Sequence, residues 1–181
     1  MPYIYISLIK TDSMIGKFVS YLKKDEVTHA SIALDENLDE LYGFGRKWNW
    51  YPFKGCFRRE SYSEGYYGHF KTLPGVVLQL NITSNQYALV SQILNDFIMN
   101  SDQYYYSITK LLSNIIDVEI KDSRGFICSE FVAYILQEAG IVKFDRPLNL
   151  IRPQMLLKLP ANRVYQGDLK RYGSANKVCS A

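Results

Sequence analysis

Two hydrophobic patterns divide the chain into strand-like and helix-like segments. Strand-like runs of β-branched and aromatic residues cover 3–9, 27–34 and 76–82, and apolar residues at helical spacing cover 84–99 and 128–139. The first pattern is typical of strands in a sheet, and the second places one apolar stripe along a helix. Because both kinds of segment occur in one chain, we predict an α+β fold. In that fold an antiparallel sheet has helices clustered on one of its sides.

Weaker signals predict the remaining elements. They are a helix over 15–22, a turn at 35–39 with a return strand over 40–45, a helix over 104–116, a short helix over 153–158 and a strand over 163–168. Residues 46–74 are rich in glycine and aromatic residues and have no clear period. We predict a long irregular loop there, and such loops are usually functional or insertions. We expect one domain over 1–181, since the chain is long enough for one core.

The composition excludes several classes of protein. Hydrophobic residues are 48% of the chain and charged residues 22%, which is typical of a globular domain. The net charge of +3, without long basic runs, argues against nucleic acid or an anionic membrane as a partner. No apolar run approaches the roughly 20 residues of a spanning helix, and the first residues lack the basic region of a signal peptide. We therefore expect a cytoplasmic protein without an integral membrane segment.

The cysteines point to chemistry at one position. Cys56, Cys128 and Cys179 are an odd set without CxxC spacing, which argues against a disulfide framework or a structural zinc site. We expect neither a metal nor a cofactor. Cys128 differs from the other two because it begins the helix 128–139, where the helix dipole and free backbone amides favour the reactive thiolate. The alternative is that Cys128 is a small buried apolar residue.

His29 is the histidine best placed to serve as a base. Strand alternation puts His29, Ser31 and Ala33 on one face, so small side chains flank the imidazole, as in a groove. A hydrogen-bonded histidine on a solvated face fits equally well, and His69 is interpreted as a surface residue of the aromatic loop. A strand histidine and a helix-initiating cysteine are the two halves of a papain-type dyad. In such a dyad the imidazole takes the thiol proton and the thiolate attacks a carbonyl.

The segments around these two residues resemble a known family. Residues 28–35 (THASIALD), followed by 41–47, look like the histidine-bearing hairpin of the permuted NlpC-like cysteine hydrolases. Residues 126–133 (FICSEFVA) resemble the nucleophile helix of the same family. In this branch, which includes the YiiX-like and LRAT-like groups, the histidine strand precedes the cysteine helix. His29 and Cys128 follow that order.

The resemblance implies a fold and an activity. The fold is permuted papain-like, with a His hairpin over 27–45 and an antiparallel sheet packed on a helical layer that contains the nucleophile helix 128–139. The activity is hydrolysis through a thioester, with Cys128 as nucleophile and His29 as base and then acid. The implied substrate is a small peptide or other amide, a class that includes peptides of cell-wall type. Two alternatives remain open: a lipid acyltransferase or thioesterase of LRAT-like type, and a catalytically inactive binding module on the same scaffold.

The chain departs from the family at the residue that orients the imidazole. The family usually has a third polar residue on the strand after the histidine strand, but Gly43 and Gly45 offer no side chain there. A backbone carbonyl, a water or an acid from the following loop can take that place. We choose Glu60, although a solvated carboxylate beside two arginines fits its sequence context equally well. We also expect Tyr42 and Arg46 to line the substrate groove.

Overall fold

Strands and helices are mixed along the chain, as predicted for an α+β fold. The computed structural model describes residues 1–10, 25–46 and 55–172, and the side chain of Arg46 lies outside this description. The strands are β1 (Tyr3–Ile9), β2 (His29–Ala33), β3 (Leu41–Arg46), β4 (Gly55–Glu60), β5 (Pro74–Asn81), β6 (Tyr105–Tyr106), β7 (Gly125–Phe126) and β8 (Asn162–Asp168). The helices are α1 (Gly65–Gly68), α2 (Ser84–Met99), α3 (Ile108–Ile116), α4 (Cys128–Glu138) and α5 (Pro153–Leu156), with 3₁₀ turns at Ser101–Gln103, Leu148–Leu150 and Leu169–Arg171.

Six strands form one antiparallel sheet in the order β4-β3-β2-β1-β5-β8. β1 lies near the centre and pairs along its length with β5, from Tyr3 opposite Asn81 to Ile9 opposite Gly75. β6 and β7 form a separate two-residue parallel pair. The first half of the chain therefore builds most of the sheet, and β8 adds the far edge.

Both faces of the sheet are covered. Ile4, Ile6 and Leu8 of β1 belong to the larger core, which also contains the buried stripes of α2 and α4. Tyr5 and Ile9 point to the opposite face and join a smaller core that includes Tyr67, Leu169 and Tyr172. The long helices thus lie on one side, as predicted, whereas the short helix α1 and the last 3₁₀ turn cover the other.

Local capping fixes the limits of the two longest helices. Gln86 donates its backbone N–H to Thr83 Oγ1 at 3.2 Å, and its side-chain oxygen accepts the Thr83 N–H at 3.0 Å. This reciprocal capping box starts α2, as the sequence predicts. Gly140 follows α4 with a φ of +64°, the left-handed conformation that terminates many helices and that glycine adopts at no steric cost.

Helix α3 is inverted relative to an ordinary amphipathic surface helix. Lys110, Ser113 and Asn114 are buried, while Leu112 and Ile116 are 56% and 71% exposed. The Asn114 side-chain amide donates to the Asn149 carbonyl at 2.7 Å, and Lys110 donates to several buried acceptors. Polar contacts rather than an apolar stripe therefore attach this helix to the protein.

Two predictions from the sequence were wrong. The described part of residues 46–74 is not an irregular loop, because it contains β4, helix α1 and the first residue of β5, and 47–54 lie outside the described residues. Arg58 and Glu60 replace the inward-facing apolar residues that reveal a strand, which explains the missed β4. The helix predicted over 104–116 begins only at Ile108, after β6. The helix predicted over 15–22 lies outside the described residues.

Candidate active site

The sheet opens beside the start of α4. β2 pairs with β1 from His29 to Ala33, but its described pairing with β3 covers only Ile32 and Ala33. The first half of β2 instead faces the N-terminus of α4, where the Ala30 amide donates a hydrogen bond to the sulfur of Cys128. The sulfur therefore takes a position that a carbonyl of a neighbouring strand would occupy in a continuous sheet.

Cys128 is the first residue of α4 and only 7% exposed. Burial acts to raise the pKa of its thiol, because a thiolate is poorly solvated in the interior. The charge of His29 and the hydrogen bonds from His29 and Ala30 outweigh burial and hold the pKa below its usual value. The helix N-terminus favours the same ionised state.

His29 lies between the thiol and a carboxylate. Its Nε2 atom is 2.9 Å from Glu60 Oε2 and 3.0 Å from Ser31 Oγ, which leaves Nδ1 for its hydrogen bond with Cys128. Burial acts to lower the pKa of His29, but the charges of Glu60 and Cys128 outweigh it and raise the pKa to about 10. The geometry thus favours an imidazolium beside a thiolate at neutral pH.

Glu60 occupies the third position, opposite the thiol. Its side chain is fully buried, accepts a hydrogen bond from Ser31 Oγ, and lies 3.5 Å from the Arg58 guanidinium. Burial acts to raise the pKa of Glu60, but His29 and Arg58 lower it to about 2. The acid from the segment after the histidine hairpin therefore contacts the imidazole directly.

Two glycines explain how Glu60 reaches His29 across an intervening strand. A Cβ atom at Gly43 would lie 3.2 Å from Glu60 Oε2, and one at Gly45 would lie 3.1 Å from Glu60 Oε1. The carboxylate thus occupies the space above β3 that side chains at these positions would fill. The absence of side chains at Gly43 and Gly45 thus leaves room for a carboxylate from β4.

Of the two expected groove residues, the structure places Tyr42 away from this site. Tyr42 stacks on Phe57 with ring centres 5.7 Å apart, on the sheet face opposite His29. The backbone of Arg46 pairs with Gly55, and its side chain lies outside the described residues. His69 is exposed, as predicted.

The sequence did not identify the roles of Ser31, Arg58 and Tyr67. Ser31 bonds both His29 and Glu60, and its position on the histidine face of β2 was the available signal. The alternation of Arg58 with Glu60 was a further signal, for a polar strand face. Tyr67 is buried in α1 with its ring centre 5.9 Å from that of His29, and no local pattern predicts this contact.

Among the described residues, no group of three or more His, Cys, Asp or Glu side chains is arranged to hold a metal ion. Likewise, none of the helices in the described part of the chain has the length and apolar character needed to span a bilayer. Comparisons with protein-family models and with curated proteins give no match to this chain.

Proposed function

We propose that the chain is a cysteine hydrolase that cleaves an amide bond through a covalent thioester. The observation that supports this most strongly is the buried series Cys128, His29 and Glu60, in which each member contacts the next. The three residues come from α4, β2 and β4, so the fold assembles them from distant parts of the chain. A nucleophile, a base and a group that orients the base are the parts that thiol catalysis requires.

The first half of the reaction forms an acyl-enzyme. The Cys128 thiolate attacks the amide carbonyl carbon and forms a C–S bond. The His29 imidazolium then donates its proton to the amide nitrogen as the C–N bond breaks, and the amine leaves. Glu60 holds the imidazole ring through Nε2, so that Nδ1 remains directed towards sulfur and substrate.

The second half of the reaction returns the enzyme to its starting state. Neutral His29 takes a proton from water, the hydroxyl oxygen bonds to the thioester carbon, and the C–S bond breaks to release the acid and restore Cys128. Backbone amides at the start of α4 are suited to stabilise the oxyanion in both halves, because their N–H groups have no partner within the helix.

The proposed fold is the permuted papain-like arrangement, in which the histidine strand precedes the nucleophile helix. An antiparallel sheet packed against a helix that begins with the cysteine supports this assignment. The sequence resemblance around His29 and Cys128 supports it independently. An amide substrate of the short-peptide class follows from the resemblance, and a cytoplasmic location remains part of the same proposal.

A labelling experiment tests the reactive thiol. We expect iodoacetamide to alkylate Cys128 faster than Cys56 in the folded protein at pH 6–7, because the thiolate of Cys128 is stabilised. Peptide mapping by mass spectrometry gives the rate at each cysteine, and a His29→Ala variant should slow only the reaction at Cys128. Equal rates at the two cysteines, or the same rate in His29→Ala, would contradict an activated thiol.

A second experiment tests the reaction itself. The protein and a Cys128→Ala variant are incubated with a mixture of short peptides, and new amino termini are identified by mass spectrometry. We expect cleavage by the parent protein and by the matched control Cys56→Ser, and none by Cys128→Ala. Fatty-acid release from phospholipid with inert peptides would instead favour the acyltransferase or thioesterase alternative. Cleavage of neither substrate class by the parent protein would favour the binding module.

A further inference from the structure

A second buried charge pair lies behind the start of α4. Lys110 of α3 is 1% exposed, and its ammonium donates to the carbonyls of Asp122 and Gly125 at 2.6 and 2.7 Å and to Glu130 Oε1 at 2.7 Å. Because an ammonium has three N–H donors, every one of them is used. Lys110 therefore joins α3, the segment leading into β7, and the first turn of α4.

Glu130 completes the connection to the nucleophile helix. It stands two residues after Cys128, is 6% exposed, and accepts the backbone N–H of Ile127 through Oε2 at 3.3 Å. Burial raises the pKa of Glu130, while the contact with Lys110 acts in the opposite direction. Both carboxylate oxygens thus have partners, and one of those partners immediately precedes the proposed nucleophile.

We propose that Lys110 and Glu130 form a positioning pair that fixes the first turn of α4 and cancels a negative charge in the same helical turn as the Cys128 thiolate. The inference rests on the proposed role of Cys128 as the nucleophile. It assigns to α3, the helix that is attached through its polar side chains, a role in maintaining the reactive thiol. Neither residue touches the substrate, so both act through the position and electrostatics of Cys128.

The sign of each charge determines what the pair does. Glu130 satisfies the Ile127 amide, but its negative charge alone would oppose the formation of a second negative charge on Cys128. Lys110 neutralises that carboxylate while holding the Gly125 carbonyl, three residues before the first residue of α4. With Lys110 beside it, Glu130 accepts the Ile127 N–H without its negative charge destabilising the thiolate. The Cys128 thiolate therefore remains stabilised by the helix N-terminus.

Other ionisable groups face the same elements and are present in the parent and in all three variants. On the substrate side, Cys128 interacts with His29, Glu60 and Tyr67. Around Lys110 and Glu130, the charged and titratable groups are Asp122, Glu119, Lys121, Tyr104 and Tyr134. A change in Cys128 that follows the sign of the removed charge is thus attributable to the pair.

Three variants test the proposal: Lys110→Met, Glu130→Gln and the double variant, each made in a Cys56→Ser, Cys179→Ser background. The measurement is the pH dependence of iodoacetamide alkylation at Cys128. Lys110→Met leaves the carboxylate unpaired and should raise the pH midpoint, whereas Glu130→Gln leaves the ammonium unpaired and should lower it. We expect changes of roughly 0.5–1 pH unit, typical of one partly screened unit charge in the same helical turn, with the double variant close to the parent.

Opposite shifts of the alkylation midpoint in the two single variants distinguish an electrostatic role from a loss of local structure. Both single variants break the same contact, so a purely structural role would move the two midpoints in the same direction, and that result would overturn the proposal. If Lys110→Met does not fold, Glu130→Gln remains decisive, because a midpoint that is unchanged or higher refutes the inference. Opposite shifts in a protein that hydrolyses no amide would uphold the pair while rejecting the proposed hydrolase.

Discussion

Replacing Glu60 with glutamine removes one buried negative charge while keeping the size of the side chain. Glu60 contacts His29 Nε2 at 2.9 Å and is fully shielded from solvent. Burial alone would lower the pKa of His29, so its rise from 6.5 to about 10 depends on the charges of Glu60, the larger contributor, and Cys128. The variant therefore tests whether the carboxylate maintains the imidazolium that the proposed mechanism uses.

The magnitude follows from these values. The net rise in the pKa of His29 corresponds to about 5 kcal/mol at 1.36 kcal/mol per pH unit, and Glu60 and Cys128 together contribute more than this because burial acts in the opposite direction. One close opposite charge typically changes a pKa by about 1–3 pH units. We therefore expect His29 to titrate about 1–3 pH units lower in Glu60→Gln, a loss of about 1.4–4 kcal/mol of imidazolium stabilisation.

The pH dependence of stability has a defined sign. The raised pKa of His29 stabilises the fold fully below pH 6.5, and this contribution is lost as the pH rises through about 10. The lowered pKa of Glu60 stabilises the fold above pH 4.5, and this contribution is lost as the pH falls through about 2. The His29–Glu60 ion pair thus stabilises the fold fully between pH 4.5 and 6.5. In Glu60→Gln the free energy of unfolding should depend less on pH, on both the acid and the alkaline side.

Two measurements check this prediction. NMR of ¹⁵N-labelled imidazoles gives the titration midpoint of His29, with His69→Ala used to assign the signals. Urea unfolding at pH 6 and pH 10 gives the change in the free energy of unfolding. Glu64→Gln, the same substitution at an exposed carboxylate four residues later, is the matched control. A His29 midpoint that stays the same in Glu60→Gln would refute the reasoning.

Two further substitutions, with one control, probe the surroundings of the His29–Glu60 ion pair. Ser31→Ala removes the hydroxyl that bonds Glu60 and His29 and should lower the free energy of unfolding in urea by about 1–2 kcal/mol. It should reduce peptide cleavage less than Glu60→Gln does, and an equal loss of cleavage would contradict a supporting role for Ser31. Gly43→Ala places a Cβ 3.0 Å from Ser31 Oγ and should reduce cleavage roughly tenfold to a hundredfold. The control is Gly65→Ala, where the added Cβ meets open space at a φ of +57°; it should cost only about 1 kcal/mol of stability and preserve cleavage. Similar activity in the two glycine variants would argue against a space requirement at Gly43.

Local patterns were sufficient for the elements whose residues follow one rule. The helix predicted over 84–99 is confirmed as α2. It was predictable because its apolar stripe and its capping box both depend on residues close together in the sequence. The limits of α3 were not predictable in this way. Its buried face holds Lys110, Ser113 and Asn114, so the packing of this helix depends on partners far away in the chain.

The site was predictable in part for a similar reason. Helix position distinguishes Cys128 from the other cysteines, and strand alternation distinguishes His29, so both were candidates before any three-dimensional information. Glu60 was only one of several options because its contact depends on strand order. It lies two strands from His29 and reaches it across two glycines, a relation that requires the paired sheet.

The hydrogen bond from the Ala30 amide to the Cys128 sulfur has a spectroscopic consequence. A sulfur anion accepts a hydrogen bond more strongly than a neutral thiol does, so the resonance of this amide follows the ionisation of the side chain across the gap in the sheet. Acylation of the sulfur removes the anion and alters the same signal. A single backbone amide therefore reports, without any added probe, whether the sulfur is protonated, ionised or covalently occupied.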